Sequence, residues 1–162
     1  MVKQETKNTQ IYTAFFSSGF QGECRVYSSY HPDIKIVQNQ EILEKLEGKC
    51  EGVEFVGEAE PVRAETAIAK IKEQREDLDG VLVFGPPPGG LISIGLPMVA
   101  VHPLWGRWQP PFDAYKGKRV LTSCLPVISD KDPDVYSSRI EDIAGKIKLI
   151  DTISKMKGLR VL

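Results

Sequence analysis

Residues Gly80–Gly90 read GVLVFGPPPGG, and this stretch decides the fold. Its apolar run, Val81–Phe84, consists of β-branched and other large apolar side chains and stops at Gly85 and three consecutive prolines. An unbroken apolar run bounded by turn formers is typical of a parallel strand that is covered on both faces. The stretch therefore predicts a buried central strand, followed by a loop at the carboxyl end of that strand.

Strand-like and helix-like segments alternate on both sides of this centre. The predicted strands are Ile11–Phe16, Val53–Val56, Leu96–Val101 and Arg119–Leu125, and the predicted helices are Asn39–Gly48, Ala64–Leu78 and Pro133–Lys157. No element is assigned to Cys24–Val37, which mixes strand-like and turn-like residues. The alternation predicts an α/β protein, a three-layer αβα sandwich with a mostly parallel sheet and flavodoxin-like or Rossmann-like topology.

Local signals suggest some of the element boundaries. Asn39 is predicted as an N-cap, and Gly48 is predicted as a left-handed residue that closes the same helix. In the last helix, Ile153 is predicted to share the buried apolar face. Positions 86–111, which include the strand Leu96–Val101, are rich in proline. This composition predicts rigid loops rather than helix on either side of the strand.

The composition limits the classes of function. The 162 residues include 21 basic and 22 acidic side chains, so we expect no binding to nucleic acid or to an anionic membrane surface. The first residues are polar, and no apolar run approaches the ~18 residues of a membrane span. The three widely spaced cysteines fit reduced thiols, and the two histidines have no metal-ligand spacing. We therefore expect a cytoplasmic protein with no metal site in this chain.

Ligands of open parallel sheets bind at the carboxyl ends of the strands, so the loops there hold the candidate residues. The loop Pro86–Pro88, with Gly89 and Gly90, is either a structural turn or a rigid wall beside a ligand. Because proline has no amide hydrogen, this loop is not expected to cradle a phosphate. The loop after the first strand is either an ordinary turn or an anion site, for example for the phosphate of FMN. Its candidate residues are Ser17, Ser18 and Gly19.

The loop that follows the strand Leu96–Val101 carries the most side chains suited to ligand contact. Its flat aromatic rings can stack on the apolar side of a sugar, and its polar groups can bond hydroxyls or carboxylates. The same composition is typical of subunit interfaces, so both interpretations stay open. The candidate residues are His102, Trp105, Arg107, Trp108 and Gln109. No catalytic residue is predicted, because Ser123-Cys124 has no assignable base and no G-x-S-x-G around it.

Three stretches together carry a family resemblance. They are DGVLVFG (Asp79–Gly85), GLPMVAVHPLWG (Gly95–Gly106) and the end of the last helix with the residues after it (Gly145–Leu162). In their order along the chain they resemble the first domain of the L-fucose and L-arabinose isomerase family. The loop PPPGG departs from the polar loop that is expected there in that family.

The resemblance implies a role as one part of a larger enzyme. Residues 1–158 would be a single α/β domain, and residues 159–162 would begin the first strand of a following domain. The parent protein would be an aldose–ketose isomerase whose divalent metal and catalytic residues belong to later domains. This chain would then be a non-catalytic N-terminal domain or split subunit, without its own cofactor, that contributes to sugar recognition and to contacts in a homo-oligomer or with the downstream domain.

Two other classes of function remain open from the sequence. One is a free-standing flavodoxin-like module that binds FMN or a small sugar-like metabolite. The other is an assembly protein that uses Trp105 and Trp108 to contact a partner.

Overall fold

A five-stranded, fully parallel sheet forms the centre of the molecule. The computed structural model of the protein describes residues 7–16, 32–104, 112–126 and 133–156. The strands are β1 (Thr9–Phe16), β2 (Val53–Val62), β3 (Gly80–Phe84), β4 (Met98–Leu104) and β5 (Val120–Pro126). Their order in the sheet is β2-β1-β3-β4-β5, which is the flavodoxin-like order.

Helices cover both faces of this sheet. They are α1 (Pro32–Glu47), α2 (Ala64–Glu73), the single turn α3 (Gly89–Ile92) and α4 (Pro133–Met156), and a 3-10 helix spans Phe112–Tyr115. One apolar core lies between the sheet and the pair α1 and α4, and a second lies between the opposite face and α2 with α3. The predicted three-layer αβα sandwich with flavodoxin-like or Rossmann-like topology is thus confirmed.

Strand β3 contributes to both cores, as its unbroken apolar run predicts. Leu82 packs in the core under α1 and α4, whereas Val81 and Val83 pack in the core under α2. At the start of the strand, a Cβ on Gly80 would lie 2.7 Å from Cγ2 of Ile150 and 3.1 Å from the carbonyl oxygen of Pro97. Glycine at this position therefore allows α4 to lie directly on the sheet.

Helix α1 begins earlier than the sequence predicts. Pro32 occupies the first helical position, where its missing amide hydrogen costs nothing, so the strand-like residues up to Val37 are helical. The prediction of Asn39 as the N-cap is wrong, because Asn39 lies inside the helix and its Nδ2 donates to the carbonyl oxygen of Ala59 at 2.7 Å. Gly48 follows the helix, but the left-handed residue is Gly52, with φ 78°.

Strand β2 is longer than predicted because its irregular part is stabilised from outside the strand. The pairing between β1 and β2 shifts register after Thr13. Gly57 pairs with Thr13 at φ 124°, and a Cβ on Gly57 would lie 2.3 Å from the Thr13 carbonyl oxygen, so this irregularity requires glycine. The bond from Asn39 to Ala59 satisfies a backbone carbonyl in the displaced segment.

Other boundaries also differ from the predictions. Helix α2 ends at Glu73, and Leu78 is buried beyond it. Positions 86–111 were predicted to lack helix, but they contain α3, and β4 continues through Pro103. Ile153 was predicted to be buried, but it is 51% exposed on α4. The predicted strand start at 159–162 lies outside the described residues.

Within the described ranges, no helix is both long and apolar enough to cross a membrane.

We expect Gly80→Ala to destabilise the fold. The added methyl group would overlap Ile150 and crowd the Pro97 carbonyl, so the free energy of unfolding should fall by about 1–3 kcal/mol. Urea denaturation of both proteins measures this difference. The matched control is Gly89→Ala, because a Cβ on Gly89 meets no atom within 4 Å. Equal losses in the two variants would contradict close packing of α4 on β3.

Candidate functional site

The candidate site lies at the carboxyl edge of the sheet, where the strand order reverses. The chain leaves β1 toward β2 on one side and enters β3 on the other, so the switch point lies between β1 and β3. In open α/β sheets the crevice outside this point is the usual place for a ligand. Its described wall is the segment that follows β3, Gly85–Gly90.

This wall offers few amide donors. Gly85 has φ 119°, and its N–H donates to the carbonyl oxygen of Val101 on β4 at 2.8 Å. Pro86–Pro88 have no N–H, and the carbonyl oxygen of Pro88 already accepts bonds from Leu91 and Ile92 at 2.9 and 3.2 Å. From Gly85 to Pro88 the wall therefore offers no free amide, and its remaining amides belong to Gly89 and Gly90 at the start of α3.

An aromatic pair lies beneath the crevice. The rings of Phe15 on β1 and Phe84 on β3 stack with centroids 4.4 Å apart and planes 10° apart. Phe15 and Phe84 are register partners in neighbouring strands on either side of the switch point. Sequence reasoning missed this pair, and its only signal is an aromatic residue at or next to the end of each strand.

Gly89 and Gly90 are the first two residues of α3, and they have different surroundings. A Cβ on Gly89 meets no atom within 4 Å, whereas a Cβ on Gly90 would lie 3.4 Å from Cδ1 of Ile68 on α2. Gly90 therefore helps α3 to approach α2, and Gly89 lies at the exposed surface of the wall. Several other predicted site residues lie outside the described residues, and their roles stay predictions. They are Ser17, Ser18, Gly19, Trp105, Arg107, Trp108 and Gln109.

His102 belongs to β4 and is fully buried, although the sequence places it at the start of a loop. Its ring stacks on Tyr115 with centroids 5.8 Å apart. Its register partner on β5 is Cys124, so the two side chains leave the same face of the sheet. Burial lowers the pKa of His102 and raises the pKa of the Cys124 thiol, so both groups favour their neutral forms.

A polar cluster joins β5 to α4 near the same edge. The Ser123 hydroxyl donates to Asp142 at 2.5 Å, and the Lys146 ammonium donates to the same carboxylate oxygen. Partial burial raises the pKa of Asp142, but the bonds from Lys146 and Ser123 outweigh it, so the net pKa is lowered. The Ser123 hydroxyl therefore joins β5 to α4 through the Asp142 carboxylate.

The described residues bring together no group of three or more side chains that could hold a metal ion. No protein-family model matches the chain, and a search of curated proteins finds no match. The carboxyl edge of the sheet is therefore described by its own geometry: an amide-poor proline wall, an aromatic pair below it, and a buried imidazole in the neighbouring strand.

We expect the burial of His102 to make stability depend on pH. Its pKa in the folded protein is lowered, so below the unfolded value of about 6.5 the unfolded chain binds a proton that the folded protein excludes. The free energy of unfolding should fall with decreasing pH, by up to about 1.4 kcal/mol per pH unit from this group, until the folded pKa is reached.

Urea denaturation between pH 7.5 and 5.5 measures this dependence. His102→Phe retains a ring beside Tyr115 and should have a shallower pH slope than the wild type. An unchanged slope in the variant would mean that His102 takes up its proton equally in the folded and unfolded states.

Proposed function

We propose that this chain is a non-catalytic N-terminal domain, or split subunit, of an aldose–ketose isomerase-like protein, and that it contributes to sugar recognition and oligomer contacts. The observation that carries the sugar-binding part is the wall Gly85–Gly90 at the switch point. The family part rests on the sequence resemblance. The metal and the catalytic residues of such a protein would lie outside this chain.

The wall favours an uncharged ligand over a phosphate. A phosphate site in this position uses several free backbone amides, often at the start of a helix. Here the amide of Gly85 is bonded to Val101 and the next three residues have none, so the wall offers only the amides of Gly89 and Gly90 in the single turn α3. Moving a neutral polyol out of water costs less free energy than moving a charged phosphate. The hydroxyl groups of a polyol can also donate hydrogen bonds to backbone carbonyl oxygens.

The strand order supports a role for the aromatic loop in the same crevice. Strand β4 is the neighbour of β3, so the chain leaves the sheet at Leu104 beside the proline wall. The next residues in the sequence include Trp105, Arg107 and Trp108. Their rings could stack on the apolar face of a sugar, while the guanidinium bonds to its hydroxyls.

FMN or a sugar-like metabolite bound by a free-standing module is a second candidate. It is favoured by the strand order β2-β1-β3-β4-β5, which flavodoxins use to bind FMN at the same switch point. In that case the phosphate would depend on the loop Ser17–Gly22, because the β3 loop is poor in amides. A protein that uses Trp105 and Trp108 only for assembly is the third candidate.

We expect neutral sugars to stabilise the protein against heat, and FMN to have little effect. For a ligand of this size we assume a Kd on the order of 1 mM. At 100 mM, L-arabinose or L-fucose should then raise the free energy of unfolding by about 2.7 kcal/mol, which corresponds to a rise in Tm of roughly 5–10 °C. Differential scanning fluorimetry measures the shift, with sucrose as a control for non-specific stabilisation by an excluded osmolyte.

A bulky side chain on the wall should abolish the sugar response. Gly89→Phe adds a large ring beside the proline loop, at a position where a Cβ meets no atom within 4 Å. The matched control is Glu73→Phe, an exposed position in the last turn of α2. A shift with FMN alone would favour the flavodoxin-like candidate. No shift with either ligand would leave the assembly role and contradict sugar recognition by this chain.

A further inference from the structure

The two outer strands of the sheet, β2 and β5, differ in how they resist a further strand. Strand β2 contains Pro61, a register shift after Gly57 and three exposed glutamates, which are Glu54, Glu58 and Glu60. Charges, proline and irregular pairing all hinder the addition of a strand at an edge. Strand β5 reads VLTSCLP, which has no charge and has proline only at its last position, and its pairing with β4 has no register shift. Of the two edges, the one at β5 is therefore suited to pairing.

The hydrogen bonds between β4 and β5 determine which backbone groups of β5 point outward. The N–H of Met98 donates to the carbonyl oxygen of Arg119 at 2.9 Å, although the register partner of Met98 is Val120. In a parallel pair a residue bonds to the two neighbours of its register partner, so the partner's own N–H and C=O point away. The outward groups therefore belong to alternate residues, namely Val120, Thr122 and Cys124. Among the described residues, none accepts a hydrogen bond from these three amides.

The side chains of β5 are also incompletely covered. Val120, Thr122 and Cys124 are each partly exposed, whereas their register partners on β4 are all buried. Strand β4 is covered because β5 lies beside it. A further strand beside β5 would cover β5 in the same way.

A second copy of β5 in antiparallel orientation matches this edge. The three outward residues are evenly spaced, so their pattern is symmetrical about Thr122. With a two-fold axis at this point, Thr122 lies opposite its own copy, and Val120 lies opposite Cys124 of the partner subunit. Residues that point toward each other in an antiparallel pair exchange two N–H to C=O bonds. All outward amides of both strands would then have acceptors.

The charges beyond the two ends of β5 favour the antiparallel direction. Lys118 and Arg119 are exposed directly before the strand, and Asp134 is exposed in the first turn of α4, which follows the strand. The ion pairs among the described residues involve none of these three charges. An antiparallel pair brings the basic start of each strand toward the end where α4 of the other copy begins, whereas a parallel pair brings like charges together.

We propose that β5 is the contact of a two-fold dimer, in which the β5 strands of two copies of this chain pair antiparallel about Thr122 and form one continuous sheet. The contact is isologous and closes on itself. Pairing of β5 with β2 of another copy would not close, and the features of β2 oppose it. The proposal deepens the oligomer-contact part of the proposed function and rests on that part alone, because sugar recognition involves the switch point between β1 and β3.

Charged substitutions at Thr122 test the contact, because this residue lies opposite its own copy. Sedimentation velocity over about 1–200 μM should show a monomer–dimer equilibrium for the wild type. Thr122→Lys places two bases opposite each other, and Thr122→Asp places two acids there. Each variant alone should weaken the dimer about tenfold or more, because like charges directly opposite each other repel.

Mixing the two charged variants should restore the dimer, because the lysine of one chain then faces the aspartate of the other. A contact that does not place position 122 opposite itself would not recover in this way. The matched control is Thr66→Lys, which changes an exposed threonine of α2 in the same way and should leave the association unchanged. Circular dichroism of each variant checks that the fold is intact.

Thr122→Pro tests the backbone pairing separately from charge. Because the N–H of Thr122 points away from β4, its removal costs the sheet of a single copy no hydrogen bond. The variant should therefore fold, as measured by circular dichroism, and should remain monomeric. A Thr122→Pro protein that dimerises as strongly as the wild type would contradict pairing through β5.

Other results would also overturn the proposal. A wild-type protein that stays monomeric at 200 μM would contradict the dimer. A dimer that neither charged variant weakens would place the contact elsewhere, and variants that do not recover on mixing would contradict the two-fold register at Thr122. The rise in Tm with sugar is measured separately. A monomer that retains this rise would overturn the dimer alone and leave sugar recognition supported.

Discussion

The burial of β3 between two helix layers is the constraint on which the rest of the structure depends. A strand with large apolar side chains on both faces is stable only if both faces are covered. Leu82 packs under α1 and α4, and Val81 and Val83 pack under α2. The close approach of α4 at Gly80 follows from the same requirement, because the long helix must lie flat on the start of the strand.

Several polar contacts join elements at the amino edge of the sheet. At the amino edge, the Thr9 hydroxyl donates to Asp151 at 2.6 Å, and the Ser154 hydroxyl donates to Asp79. Asp79 in turn accepts from the backbone N–H of Gln10 at 3.1 Å, so three elements meet there. These bonds join the end of α4 to the starts of β1 and β3.

The elements that the sequence predicts correctly are those whose signal is local and repeated. β3 is an unbroken apolar run, and α4 repeats its apolar positions over 24 residues. The errors arise where a distant partner overrides a local signal. Gly57 and Pro61 look like strand breakers, yet β2 continues through both because β1 and Asn39 satisfy its backbone. Pro103 likewise suggests a loop, but it lies within β4.

The site could be predicted only in part for the same reason. The position of the proline wall at a strand end follows from the sequence, and so does its lack of amide hydrogens. The aromatic stack does not, because it needs the pairing of β1 with β3, which are separated along the chain by α1, β2 and α2. The burial of His102 depends in the same way on Tyr115, which arrives from a later segment.

Helix α4 connects the two edges of the sheet. The helix starts after β5, beside the carboxyl edge, and ends at the amino edge, where Asp151 is bonded to Thr9. In the first half of the helix, Asp142 accepts a hydrogen bond from Ser123 on β5. Side-chain bonds therefore tie both halves of α4 to the sheet, while Gly89 in the proline wall stays exposed.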